Sequence, residues 1–313
     1  MQGSTEQKAG QKIKLWTWLV AAGVAWTAGF VYNVHLGGEP RWLKDLYQKK
    51  AVAAEAIEEP KLLVTGGSGA HYTINSEIIA EAIERPVVNL GIDGPVGLDV
   101  ILPTALQHVD PGDIVLLVPE YLILLDEDGL GERSGPFAIA TGQGLNQVPP
   151  KQLVRDWIGI GVPSLRALVK STSDLIQLGK FSGYYDDPLT VAGDPTVDKQ
   201  RQGDWWQLSI RQSVTAHSIK RIEQFRSEVE AQGGELILSL PWVYGDNTDT
   251  TKANIRKTAE DLEDIAPLLY DAETLNIQSD VTIFADTHYH LTTEGRVVRS
   301  QQLAQQLQEI LLP

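Results

Sequence analysis

The hydrophobic and polar positions divide the chain into two regimes. No Asp, Glu, Lys or Arg occurs over residues 15–38, a run of 24. A helix rising ~1.5 Å per residue crosses a ~30 Å hydrocarbon core within that length. Trp16, Trp18 and Tyr32 lie near its ends, where amphipathic rings favour the headgroup level. The pattern predicts a transmembrane helix over 15–38 behind a cytoplasmic tail, 1–14. Lys8, Lys12 and Lys14 precede the run and Arg41, Lys44, Lys49 and Lys50 follow it, a near balance. A short tail before a large C-terminal domain reads as a single-pass membrane protein with that domain on the extracytoplasmic side. In 39–60, Trp42, Leu43, Leu46 and Tyr47 recur at helical spacing, which predicts a juxtamembrane spacer helix.

After Pro60 the pattern becomes short apolar runs separated by helical stretches. The runs are 61–65 (KLLVT), 86–92 (PVVNLGI), 114–118 (IVLLV), 235–240 (ELILSL) and 281–284 (VTIF). Helical patterns occupy 74–84, 98–108 and 292–312. Short buried strands alternating with helices predict an α/β domain over 61–313. Its expected form is three-layer and flavodoxin-like, with a five-stranded parallel sheet covered on both faces. A Gly-, Pro- and Asp-rich stretch at about 121–205 interrupts the alternation and holds one expected helix, 151–170. An insertion at the carboxyl end of a strand suits a lid or substrate wall. Trp205 and Trp206 are expected to start a long helix buried beneath it.

Charge sharpens this division. The chain of 313 residues carries a formal charge of −15, and only 7 of its 26 basic and 6 of its 41 acidic residues fall in 1–60. The domain is therefore acidic, which argues against a nucleic-acid partner, because phosphate binding needs basic patches. With no cysteine, disulfides, thiolate nucleophiles and thiolate metal sites are excluded.

Two loops carry candidate chemistry. Gly66-Gly67-Ser68-Gly69-Ala70 follows the first run, and Tyr72 stands where a dinucleotide fingerprint needs its third glycine. A P-loop lysine is absent, and Ala70 breaks the G-x-S-x-G elbow. The second loop, Asp286-Thr287-His288-Tyr289-His290, precedes the last helix. An acid and a histidine on one loop can fix the imidazole tautomer needed by a general base. A serine after the first strand and a histidine after the last can meet at the carboxyl edge of a parallel sheet.

These blocks resemble the SGNH/GDSL hydrolase superfamily over roughly 60–313, in particular its divergent membrane-anchored branches linked to acylation of cell-surface polymers. The resemblance implies Ser68 as nucleophile, His290 as base, with His288 the alternative, and Asp286 as its orienting acid. It implies an oxyanion hole from the N–H groups of Ser68 and Gly94, with Gly91 the alternative. The sequence departs from the family blocks in three places. Gly67 replaces the aspartate of G-D-S, the acid-to-histidine spacing is one longer than D-x-x-H, and Glu120 stands where the family has asparagine. A carboxylate cannot donate to an oxyanion unless protonated. Glu120 is thus either a proton-handling or substrate-binding carboxylate, or the partner of a buried base. Tyr121, His71, His288, Trp242 and Tyr244 are expected to line the pocket. No metal-ligand spacing occurs and no cofactor is expected. The implied activity is that of an esterase or O-acyltransferase on an acyl-bearing small molecule or glycan. The alternative is a degenerate binding subunit beside a polytopic membrane acyltransferase.

Overall fold

The computed structural model describes residues 3–179, 188–197, 201 and 207–311, with only the backbone for 3–13. It divides into two compact units, one of residues 1–44 and 149–186, the other of 45–148 and 187–313.

The smaller unit begins with α1 (Gly3–Val31), a helix long and apolar enough to cross a membrane. Leu15, Trp16, Trp18, Leu19, Val20 and Val24 are exposed along it. The uncharged run does not continue as α-helix to residue 38. It widens into a π-helical turn, Tyr32–Leu36, in which Asn33 and Val34 are buried. Then α2 (Glu39–Glu55) runs on into the larger unit. There Lys50, expected in a spacer, is buried and donates to Asn89 O at 2.8 Å.

In the larger unit the chain continues through β1 (Leu62–Thr65), α3 (Ser68–Thr73), α4 (Ser76–Ile83), β2 (Val87–Asn89), α5 (Leu98–Leu106) and β3 (Ile114–Leu117). Every residue of these three strands is buried, as in a sheet covered on both faces. Short helices α6 (Tyr121–Leu124) and α7 (Ser134–Thr141) follow β3. The stretch expected as one helix over 151–170 is two, α8 (Pro150–Ile160) and α9 (Leu165–Leu178), and both belong to the smaller unit. Pro163 disfavours helical backbone at the residue before it, and the Ser164 side chain caps the new helix by accepting from Ala167 N.

The chain then supplies α10 (Ala216–Ala231), β4 (Glu235–Ser239), β5 (Val243–Tyr244), α11 (Asp249–Glu263), β6 (Leu268–Leu269), β7 (Ile277–Gln278) and α12 (Thr293–Leu311). Trp205 and Trp206 lie outside the described residues. The next described helix, α10, is capped by Thr215, which accepts from Ser218 N.

The main sheet has five parallel strands in the order β2-β1-β3-β4-β6, compatible with a flavodoxin-like fold. Helix α12 packs on α3 and α4 beside one face, where Ile74, Ile79, Leu303 and Leu307 join Leu62, Val64 and Leu116 in one core. On other elements of the sheet, α5 packs against β1 and α10 against β4.

The fifth strand is not 281–284. Val281–Ile283 is a 3-10 turn, because the Asp280 carboxylate accepts from Thr282 N at 2.8 Å and from Thr282 Oγ1 at 2.6 Å. The sheet edge is the two-residue β6 instead. A separate parallel pair, β5 and β7, was not foreseen, since two-residue strands carry no period.

Candidate active site

Strand β1 delivers the chain to Gly66, whose φ of +150° brings its backbone against Val118 O. A β-carbon there would stand 2.3 Å from that oxygen, so only glycine fits. The chain turns, and Ser68 becomes the first residue of α3. Its hydroxyl donates to Glu120 Oε1 at 3.1 Å, and the Gly69 N–H donates to the same oxygen at 2.5 Å.

Glu120 follows β3 and is wholly buried. Its carboxyl group is enclosed by glycine backbone. A β-carbon on Gly67 would lie 2.4 Å from Oε2, one on Gly69 2.6 Å from Cγ, and one on Gly94 3.3 Å from Oε1. Gly67 and Glu120, two separate departures in the sequence, are therefore one arrangement, since the glutamate occupies the space a side chain at 67 would need. Oε2 is buried with no hydrogen-bond partner among the described residues. Burial pushes the Glu120 carboxyl up to about 7, with the nearby Asp93 charge adding to the rise.

Asp93 escaped the sequence reading, although it sits beside Gly94. Burial raises its carboxyl, while Arg133 acts in the opposite direction, donating through Nη1 to Asp93 Oδ2 at 2.6 Å. Asp93 also feels the charge of His290. Asp93 therefore lies electrostatically between the Ser68–Glu120 pair and the histidine loop. Its neighbour Gly94 lies against Glu120, whereas Gly91 packs against Ala70 and the His71 backbone.

His290 is held from both ends. Its Nδ1 is 2.8 Å from Asp286 Oδ1, and its N–H donates to Thr287 Oγ1 at 2.9 Å. A carboxylate at Nδ1 favours the tautomer with a proton there and leaves Nε2 as the acceptor. The His290 ring stands 4.5 Å from the Tyr72 ring, centroid to centroid. Tyr72 is four residues after Ser68 in α3, on the same helix face. His71 is buried, with its ring 4.3 Å from that of Tyr72.

The other expected pocket residues divide. Tyr121 is buried at the start of α6, which drives its phenol above the ordinary range. Tyr289 is also buried, and its phenol is raised further by the Glu120 and Tyr121 charges. Trp242 does not face an open pocket. It is buried with Phe284 and Leu291, its Nε1 donates to Gln302 Oε1 at 2.7 Å, and Arg299 lies over its ring. Tyr244 is half-buried against Phe284, and its N–H donates to His288 O at 2.9 Å. That bond ties β5 to the histidine loop through the His288 backbone.

No family model matches the sequence, and no curated protein matches it. Among solved structures, the chain is similar to the crystal structure of protein YxiM from Bacillus subtilis at 13% identity. That similarity covers 80% of this chain and 57% of YxiM, with a TM-score of 0.36.

Proposed function

We propose that this protein is a membrane-anchored serine esterase or O-acyltransferase of the SGNH type, acting on an ester-linked acyl group of a cell-surface carbohydrate or lipid. The observation that carries the reading is the oriented imidazole. His290 is locked by Asp286 at 2.8 Å and its ring stands against Tyr72, one turn of α3 after Ser68. In this reading Ser68 Oγ attacks the acyl carbonyl while His290 Nε2 takes the hydroxyl proton. The imidazolium then gives that proton to the departing alcohol, leaving an acyl-Ser68 ester. Water or a sugar hydroxyl, deprotonated in turn by His290, releases the acyl group.

Glu120 fills the role of the family asparagine in its protonated form. A carboxyl titrating at about 7 keeps its proton on much of the population near neutrality and can donate toward the developing oxyanion. The N–H groups of Ser68 and Gly94 complete the hole. Asp93 and Arg133 hold the loop that presents Gly94. Helix α1 crosses the membrane, and the larger unit is extracytoplasmic.

A serine-reactive fluorophosphonate tests this reading on the full chain. Wild-type protein is expected to label and Ser68→Ala is not. Folded wild-type protein without Ser68-dependent label would falsify the hydrolase reading.

A second reading is favoured by one observation. The Ser68 hydroxyl and the Gly69 N–H both already point at Glu120 Oε1, as expected of a closed, non-catalytic site. The protein would then be a binding or accessory subunit beside a polytopic membrane acyltransferase. Ser68→Ala would in that case still complement a deletion strain, and failure to complement rejects it.

A further inference from the structure

Helix α9 carries an apolar surface that nothing among the described residues covers. In α9, Leu165, Leu168, Val169, Thr172, Leu175 and Ile176 recur at i, i+3, i+4, i+7, i+10 and i+11, one face of a helix. All six are exposed, Leu165 to 77% and Ile176 to 79%. The polar residues Arg166, Lys170, Ser173 and Gln177 lie on a different face, and the small residues Ala167 and Ser171 are the buried ones. Helix α8 adds Val154 and Ile158, exposed at i and i+4, while the half-exposed Trp157 ring packs on that of Trp26, centroids 4.2 Å apart. A soluble hairpin would turn these faces inward.

Both helices are fastened to residues 26–33 of the uncharged run. Trp26 Nε1 donates to Ile158 O at 2.9 Å and Asn33 Nδ2 donates to Ile160 O at 2.6 Å. These are terminal carbonyls of α8, which water would satisfy in an aqueous setting. Inside a bilayer they need internal donors, and α1 supplies one through Trp26 and the π-helical turn the other through Asn33. The backbones touch closely, since a β-carbon on Gly29 would stand 1.9 Å from Gly161 O. Close approach through small residues is how helices associate in lipid. Tyr32 Oη and Ser171 Oγ are hydrogen-bonded at 2.7 Å, which seats α9 in the same way.

Charge agrees with the placement. In a chain of −15, residues 149–179 carry four basic side chains (Lys151, Arg155, Arg166, Lys170) against two acidic ones (Asp156, Asp174). Basic side chains beside an apolar face suit the headgroup layer.

We infer that α8 and α9 form an interfacial membrane hairpin, with their exposed apolar faces sunk into the acyl-chain boundary of the bilayer that α1 crosses. The inference rests on the membrane-spanning reading of α1 and adds a second site of lipid contact, far away in sequence.

The absence of cysteine makes the test direct. Single variants Ile176→Cys, Leu165→Cys, Gln177→Cys and Val20→Cys of the full chain are spin-labelled and reconstituted into phosphatidylcholine–phosphatidylglycerol vesicles. Their accessibility to oxygen, which partitions into lipid, is compared with that to an aqueous nickel chelate. Labels at 165 and 176 are expected to shift toward oxygen, as at 20 in α1, and the label at 177 toward nickel. Nickel access at 165 and 176 with lipid exposure at 20 overturns the inference and leaves the anchor standing. Nickel access at 20 as well removes the anchor and the inference together. Shielding of 165 and 176 from both agents means that protein covers the face, which also overturns it.

Discussion

Gly67 and Glu120 share one small volume, and each constrains what the other can be. Gly67→Ala is expected to cost about 1–3 kcal/mol by overpacking, because the new methyl would stand 2.4 Å from Glu120 Oε2. In a Glu120→Ala background the same change should cost less, with a remainder set by Gly94 Cα at 2.6 Å. A thermodynamic cycle from denaturant unfolding reads that coupling. Glu120 also makes stability depend on pH. Its folded value is raised from the ordinary 4.5 to about 7, so the folded state holds the proton more tightly than the unfolded chain. Its contribution is fully present below pH 4.5 and is lost as pH rises through about 7, a loss of up to about 3 kcal/mol. Glu120→Gln should flatten the slope in that window, as unfolding free energies measured across it will report. The Asp286–His290 contact and the turn that ends at Ser68 were legible because their loops combine unusual residue types at short spacing. Asp93 and Arg133 were not, because an ion pair between residues 40 apart leaves no local pattern. Trp242 misled for the opposite reason. An aromatic at a strand end reads as a pocket wall, yet here it closes a small core over Phe284.

The first four sheet strands could be read because a strand buried on both faces is nearly all apolar, as in IVLL of β3. The two-residue β6 offers too few positions for such a signal, while VTIF imitates a strand that Asp280 turns into a 3-10 helix. Caps act at this same scale. The Asn75 side chain accepts from Glu77 N at 3.1 Å and Ile78 N at 3.3 Å at the head of α4. Asn75→Ala is expected to lower stability by about 1 kcal/mol, measured as a shift in the denaturation midpoint at unchanged slope. Helix α4 packs against α12 and β2, so the effect should appear in the global transition of the larger unit.

For the whole molecule, the membrane-spanning role proposed for α1 is open to test by a single change. Val24 is 66% exposed near the middle of the uncharged run. With α1 spanning a bilayer as proposed, Val24→Arg places a charge near the centre of the span, at a cost of about 3 kcal/mol. The variant is expected to move toward the carbonate-soluble fraction, where wild-type protein stays with the membrane pellet. The order of the sheet bears on a different question, how the chain reaches this state. Strands β1, β2 and β3 follow one another closely, but the β3 partner Glu235 lies over a hundred residues beyond Ile114. Closing so long a loop adds little equilibrium cost, since each doubling of length adds only about 0.6 kcal/mol. Its effect is on timing. During synthesis the apolar edge of β3 waits unpaired while residues 149–186 join the other unit and β4 is still to come, and an open apolar edge is a template for pairing with other chains. Folding is therefore most vulnerable to misassembly in the interval between the third and fourth strands.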